Sequence, residues 1–215
     1  MSEDTRNRLI QSAGTIFAEK GYEAASVREI CQAAEANIAA VHYHFGEKRQ
    51  LYVAAVREAQ CCQAEAIPFP EWPADMPADE RLRQFIRTMF ERMLDADRPK
   101  WHLQLMLREL AHPTEACEAV VNDYIRPMAD NLRSILRDLL PADLSEPERW
   151  RIGFSIVGQV LFYYLNQPII RLLIGPDAHA SLTVDDLANH VARFSLAALG
   201  YAPPMVTAAA LETAP

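Results

Sequence analysis

The stretch SVREICQAAEANIAAVHYHF, Ser26 to Phe45, limits the possible folds of this chain more than any other. Ser26 followed three residues later by Glu29 is a capping-box pattern, in which each side chain answers an orphan backbone N–H at a helix start. A helix is therefore predicted from Val27, with Val27, Ile30 and Ala34 on its inner face at the i, i+3, i+7 spacing of a buried stripe. Asn37 is a natural N-cap for a second short helix, from Ile38 to about His44. Ala33, Ala34 and Ala36 around the turn, and Ala39 and Ala40 at the head of the second helix, are small enough for another helix or DNA to approach closely. Two capped helices joined by a tight turn are what a helix-turn-helix needs to lay its second helix in the major groove. An ordinary helical hairpin is the other reading of the same pattern.

The residues that follow separate these readings. Tyr43, His44 and Phe45, then Gly46 and Lys48, lead into a long amphipathic segment, and ANIAAVHYHFGEKRQLY as a whole resembles the N-terminal domain of TetR-type transcriptional regulators. It is most similar to the CecR-like branch, whose usual Asn is here His42. The resemblance covers roughly residues 5–60 with specific motifs and the helical remainder more loosely. It implies that Ile38, Ala39, Ala40 and His42, with Asn37 at the helix start, lie toward the groove, and that Arg28, Tyr43, His44, Lys48 and Arg49 lie near the DNA backbone. Ala39 and Ala40 can touch a thymine methyl but cannot specify guanine, so His42 is the one strong hydrogen-bonding side chain expected on that face. Phe45, and less so Tyr43, can equally be read as core packing.

Charge decides how such a head would hold DNA. The net charge is −8, which alone argues against a nucleic-acid partner. Residues 1–60 hold seven Lys and Arg against eight Asp and Glu, a net of −1, so the remaining −7 lies downstream of the proposed head. Phosphate contacts must then come from a few placed groups and helix N-termini rather than a broad positive field, and the salt dependence is expected to be shallow.

Along the chain every periodic segment is helical. Leu9, Ile10, Ala13, Ile16 and Phe17 form one face of a helix from Asp4 or Thr5 to Lys20, with Gly21 as its C-cap. A helix from Lys48 to about Ala66 carries Leu51, Tyr52, Ala55, Val56 and Ala59; by resemblance, its tilt sets the spacing of two DNA-reading heads. Pro68, Pro70, Pro73 and Pro77 make residues 67–77 a connection. Leu82, Phe85, Ile86, Met89, Phe90 and Met93 then recur at three- and four-residue steps. Lys100–His112 reads as a short helix, and a longer one runs from Pro113 and Thr114 to about Leu140 with a kink at Pro127. Capping pairs Ser145/Glu148 and Thr183/Asp186 open the last two predicted helices, 148–166 and 183–199. The expected fold is all-α with about nine helices: a helix-turn-helix DNA-binding domain over residues 1–47 and a ligand-binding and dimerisation domain over 48–215.

Within the larger part, a small-molecule pocket between helices would have apolar walls and a few polar groups. Trp101, His102, Met106, Arg108 and Glu109, then Tyr124 and Met128 near the kink, then Phe154, Tyr163, Asn166 and Gln167 are the candidates. Arg108 and Glu109 stand in an apolar segment, so each needs a partner or a charged ligand if buried. The last two predicted helices carry more apolar surface than one chain needs, which suggests a two-fold interface, the way TetR-like proteins dimerise. Two-fold symmetry matches a palindromic operator.

Other classes find less support. There is no nucleophile–base pair, phosphate loop or metal-ligand cluster, so no enzyme, cofactor or metal site is expected. Cys31, Cys61, Cys62 and Cys117 form no CxxC pair and are read as reduced thiols. A redox-sensing or protein-interaction module using Cys61 or Cys62 is the alternative function. The polar, acidic N-terminus is no signal peptide, and the longest apolar run, Ile152 to Leu165, is too short and broken to span a bilayer. The expectation is a cytoplasmic, homodimeric repressor with an operator duplex and a small-molecule effector as partners, and no membrane.

Overall fold

The computed structural model describes the backbone of residues 2–94, 99–114 and 116–205, and the side chains of the same residues apart from 2 and 60–66. Among the described residues the fold is all-α, with no strand. Helix α1 (Ser2–Ala24) is broken near its end at Gly21, whose φ of +81° is open to glycine at no steric cost. That is the predicted end of the straight run, and one more turn follows it, closed by a bond from the Ala25 N–H to the Gly21 carbonyl at 3.2 Å.

Helices α2 (Val27–Ala33), α3 (Ile38–Phe45) and α4 (Lys48–Ala66) come next. Beyond the proline-rich connection lie α5 (Ala78–Met93), α6 (Lys100–Ala111) and α7 (Ala116–Val120). The helix expected from 114 to 140 is split. A π-helical turn over Val121–Ile125 separates α7 from α8 (Arg126–Leu139), with the Arg126 N–H reaching back five residues to the Val121 carbonyl. The cause lies at Pro127, which has no N–H to offer the carbonyl of Asp123, so the chain widens one turn ahead of it.

Helix α9 (Glu146–Leu165) starts where Ser145 donates its backbone N–H to Glu148 at 3.1 Å, and α12 (Val184–Ala198) where Asp186 N–H donates to the Thr183 hydroxyl at 3.2 Å. Between them are two helices that sequence reading did not identify, α10 (Gln167–Ile174) and α11 (Pro176–Ala180). Pro168 sits in the first turn of α10, where its missing N–H costs nothing, and Gly175 at φ +85° closes it.

The packing divides into two compact units. One comprises residues 1–66 and 96–127, the other 67–95 and 128–215. In the first, α1 packs on α4 and α6 around Leu9, Phe17, Ile30, Val41, Leu51, Tyr52 and Leu105. In the second, α5 packs on α12 and α9 around Leu82, Phe85, Phe90, Ile135, Val160, Val191 and Leu196. Each such buried side chain contributes roughly 1.5–3 kcal/mol relative to exposure. The proline-rich connection is pinned to α5 by Arg92, which donates to the Ile67 carbonyl at 2.6 Å and lies 4.0 Å over the Phe69 ring. No helix among the described residues is long and apolar enough to cross a membrane.

Candidate nucleic-acid interface

The turn between α2 and α3 is set by backbone bonding at the end of α2. Glu35 N–H donates to the Gln32 carbonyl and Ala36 N–H to the Cys31 carbonyl, at 3.3 and 2.9 Å, the paired bonds of a Schellman ending. Such an ending places one residue in left-handed conformation. Here it is Glu35, at φ +50°, where glycine is usual. At the start of α2, Ser26 Oγ accepts from the Glu29 N–H at 3.2 Å. The Glu29 carboxylate does not complete the expected box, because it pairs instead with Lys20 Nζ and so joins α2 to α1.

Asn37 caps α3 as predicted, its Oδ1 accepting from the Ala40 N–H at 2.8 Å. One side of α3 is anchored: Val41 is buried, and Ala40 and Phe45 are half-buried against the first unit's core. The other side is open. Ile38, Ala39, His42 and Tyr43 are exposed, Tyr43 by 81%. A cleft of about 490 Å³ runs beside this face, between α3 and the first turns of α1, where Thr5 and Arg8 line its far wall. Gly46, at φ +78°, ends the helix and donates its N–H to the His42 carbonyl at 3.1 Å. The imidazole of His42 answers with Nδ1, 2.7 Å from the Gly46 carbonyl.

The cations expected near the DNA backbone differ in setting. Arg28 and Arg49 are exposed. Lys48 is half-buried: its ammonium donates to the Glu23 carbonyl at 3.3 Å and lies 4.6 Å over the Tyr22 ring, so it also closes the end of α1. His44 is half-buried beside Tyr43. Sequence reasoning missed Arg6, whose guanidinium lies 5.7 Å over the Phe45 ring at the end of α3. Its signal was only a basic residue in the first helix.

Behind α3 the head is held by α6. The Tyr52 hydroxyl of α4 donates to Glu109 Oε2 at 2.6 Å, and the Thr114 N–H donates to Glu109 Oε1 at 2.7 Å. Burial, then the Glu109 bond and charge, push the Tyr52 phenol above its ordinary value of 10.0. The neighbouring Arg108 donates to the carbonyls of Ala18 and Glu19 at 3.3 and 3.1 Å, placing a cation at the end of the straight run of α1. Both charges suspected of needing a ligand therefore have partners inside the protein.

The eleven candidate ligand contacts fall in different units. Trp101, His102, Met106, Arg108, Glu109 and Tyr124 belong to the first and Met128, Phe154, Tyr163, Asn166 and Gln167 to the second. Trp101 and His102 are buried edge to face, and Met106 and Tyr124 are half-buried. Met128 and Tyr163 are half-buried on the second core, whereas Phe154 is 64% exposed. Asn166 donates to the Phe162 carbonyl at 3.0 Å and Gln167 to that of Tyr163 at 2.7 Å. Cys31 is buried, which raises its thiol pKa and makes it less reactive; the side chains of Cys61 and Cys62 lie outside the described residues. Among the described residues no group of three or more His, Cys, Asp or Glu is placed to hold a metal.

Residues 9–55 match the bacterial regulatory proteins of the tetR family, and residues 78–199 match the C-terminal domain of the HTH-type transcriptional dual regulator CecR. CecR of Shigella flexneri is 25% identical over 183 residues, 80% of this chain and 81% of its own. The HTH-type transcriptional repressor AcnR of Corynebacterium efficiens is 31% identical over 98 residues, 46% of this chain and 45% of its own. Among solved structures, AibR in complex with isovaleryl coenzyme A and operator DNA superposes with a TM-score of 0.61 at 21% identity, over 87% of this chain and 96% of that one.

Proposed function

The chain belongs to the TetR-type transcriptional regulators, with the C-terminal domain of the CecR branch, and from that premise we propose that it is a cytoplasmic homodimeric repressor released from a palindromic operator by a small-molecule effector. In this reading residues 1–47 read DNA and residues 48–215 bind the effector and dimerise. The observation that carries it is the two-sidedness of α3, with Val41 buried as an anchor and Ala39, His42 and Tyr43 facing outward from the family-matched segment. A slim exposed face of this kind fits a major groove about 12 Å wide. AibR, of like fold, was solved with both a small molecule and operator DNA, which supports a ligand-responsive reading.

The dimer face proposed is that of α9 and α12. Trp150, Phe154 and Phe162 on α9 and Phe194 on α12 are large apolar side chains left exposed, and a second copy of the chain would cover them. Phe154 is therefore assigned to this face rather than to the effector. Release follows from differential binding: an effector favours the conformer it binds better, with a coupling of about 1–3 kcal/mol. Movement of α6 would reach the head through its Arg108, which bonds the Glu19 carbonyl of α1, and through its Glu109, which accepts from Tyr52 of α4.

The test is selection of genomic duplexes by the purified full chain, repeated with Ala39→Glu. A duplex with two-fold symmetry is expected for the unmodified chain and none for the variant at unchanged fold and oligomeric state. Retention of the same duplex by the variant refutes the groove assignment.

A further inference from the structure

We propose that His42 reads the exocyclic amino group of a base, N6 of adenine or N4 of cytosine, and that the Gly46 carbonyl dictates this by fixing the imidazole tautomer. The inference rests on the reading of α3 as the DNA-facing helix. A carbonyl oxygen only accepts, so the 2.7 Å contact between His42 Nδ1 and the Gly46 carbonyl requires the proton to sit on Nδ1. In the neutral ring Nε2 is then an acceptor, and the described residues give it no hydrogen bond. The same two residues are tied a second time, Gly46 N–H to the His42 carbonyl at 3.1 Å, so the ring is braced against the end of its own helix. This brace depends on Gly46, whose φ of +78° turns its carbonyl back along α3.

His42 is exposed on the side of α3 that carries Ala39 and Tyr43, and Ala39, one turn earlier, brings no polar atom. In the major groove the hydrogen-bond donors are the amino groups of adenine and cytosine; guanine offers N7 and O6 as acceptors, and thymine offers O4 and a methyl. An acceptor at Nε2 pairs with the first two and sets lone pair against lone pair at the others.

Two measurements test this. In the free protein, nitrogen-15 shifts of the neutral His42 ring are expected to show Nδ1 protonated and Nε2 bare; an Nε2-protonated ring overturns the proposal. In the second, the duplex recovered by selection is rebuilt one base at a time with purine in place of adenine and 2-pyrimidinone in place of cytosine, each lacking only the amino group. At one position in each half-site the full chain is expected to lose on the order of tenfold in affinity, while His42→Ala loses about twofold or less to the same change. The arm that responds tells adenine from cytosine. If no amino deletion has a His42-dependent penalty, or if the His42-dependent position is guanine or thymine, the proposal fails although α3 still reads DNA. If no duplex is retained by the unmodified chain, the reading of α3 fails and takes this inference with it.

Discussion

Tyr52 on α4 and Glu109 on α6 are both buried, and the phenol donates to the carboxylate at 2.6 Å. The partners lie 57 residues apart in sequence, so this bond forms only when α6 docks against the helix that follows the helix-turn-helix. Thr114 supplies further donors to the same carboxylate, which leaves the charge hydrogen-bonded rather than stranded.

Tyr52→Phe removes one donor from a buried carboxylate and is expected to destabilise the chain by about 1.5–3 kcal/mol. Chemical denaturation at pH 8 checks this. The deficit should itself depend on pH. The folded-state pKa is raised, so Tyr52's contribution is complete below 10.0 and is lost as pH rises above it, where the unfolded phenol ionises first. The gap in midpoint between wild type and Tyr52→Phe is therefore expected to narrow between pH 10 and 11; a constant gap would contradict the assignment.

A Cβ at Gly14 would lie 2.3–2.6 Å from the Trp101 ring, too close for the α1–α6 packing to persist unchanged. Gly14→Ala gains up to about 1 kcal/mol of helix propensity and loses about 1–3 kcal/mol to overpacking, for a net loss of stability. Because both effects meet at one contact, Trp101→Leu with Gly14→Ala should cost less than the sum of the single changes, as a double-mutant cycle in urea would reveal.

Glu35 holds a left-handed conformation at which its side chain brings strain. Glu35→Gly should raise stability by about 1 kcal/mol and, by removing a carboxylate from the cleft beside α3, tighten duplex binding as well. Thermal melting and a filter-binding titration measure the two effects separately. A drop in melting temperature would show that the turn is not strained as described.

Phe154 and Phe162 stand eight residues apart on α9, with Gly158 between them and open space where its Cβ would be. If the proposed α9–α12 dimer forms, Phe154→Asp is expected to leave the chain monomeric in sedimentation equilibrium with its helical content intact. A variant that stays dimeric would move the interface away from α9.

The helix-turn-helix was legible because its signals are local: Ser26 and Asn37 cap its two helices, and only a short turn of small residues separates them, whereas Val41 as the inward residue of α3 emerged only from the packing. What could not be read depends on distance or on competition. The carboxylate of Glu29 has two attractive partners, a backbone N–H three residues away and Lys20, and only packing of α1 on α2 decides for the lysine. Arg108 and Glu109 were visible as charges in an apolar segment, but their partners lie 90 and 57 residues back. Helices α10 and α11 were hidden because Gln167-Pro168 reads as the end of a helix when the chain in fact starts another immediately. His42 was noticed for its hydrogen-bonding capacity; which nitrogen is available is settled by the turn at Gly46.

The first unit is discontinuous, closed only by residues 96–127. During synthesis, then, the apolar faces of α1 and α4 emerge without Trp101, Leu105 and Val120 to cover them, and Arg108 is not yet present to cap α1. At ordinary elongation rates the roughly sixty residues still to come occupy the ribosome for about 3–12 s. Over that interval the nascent head is a candidate for chaperone capture, and its maturation is timed by the arrival of α6 rather than by completion of its own helices.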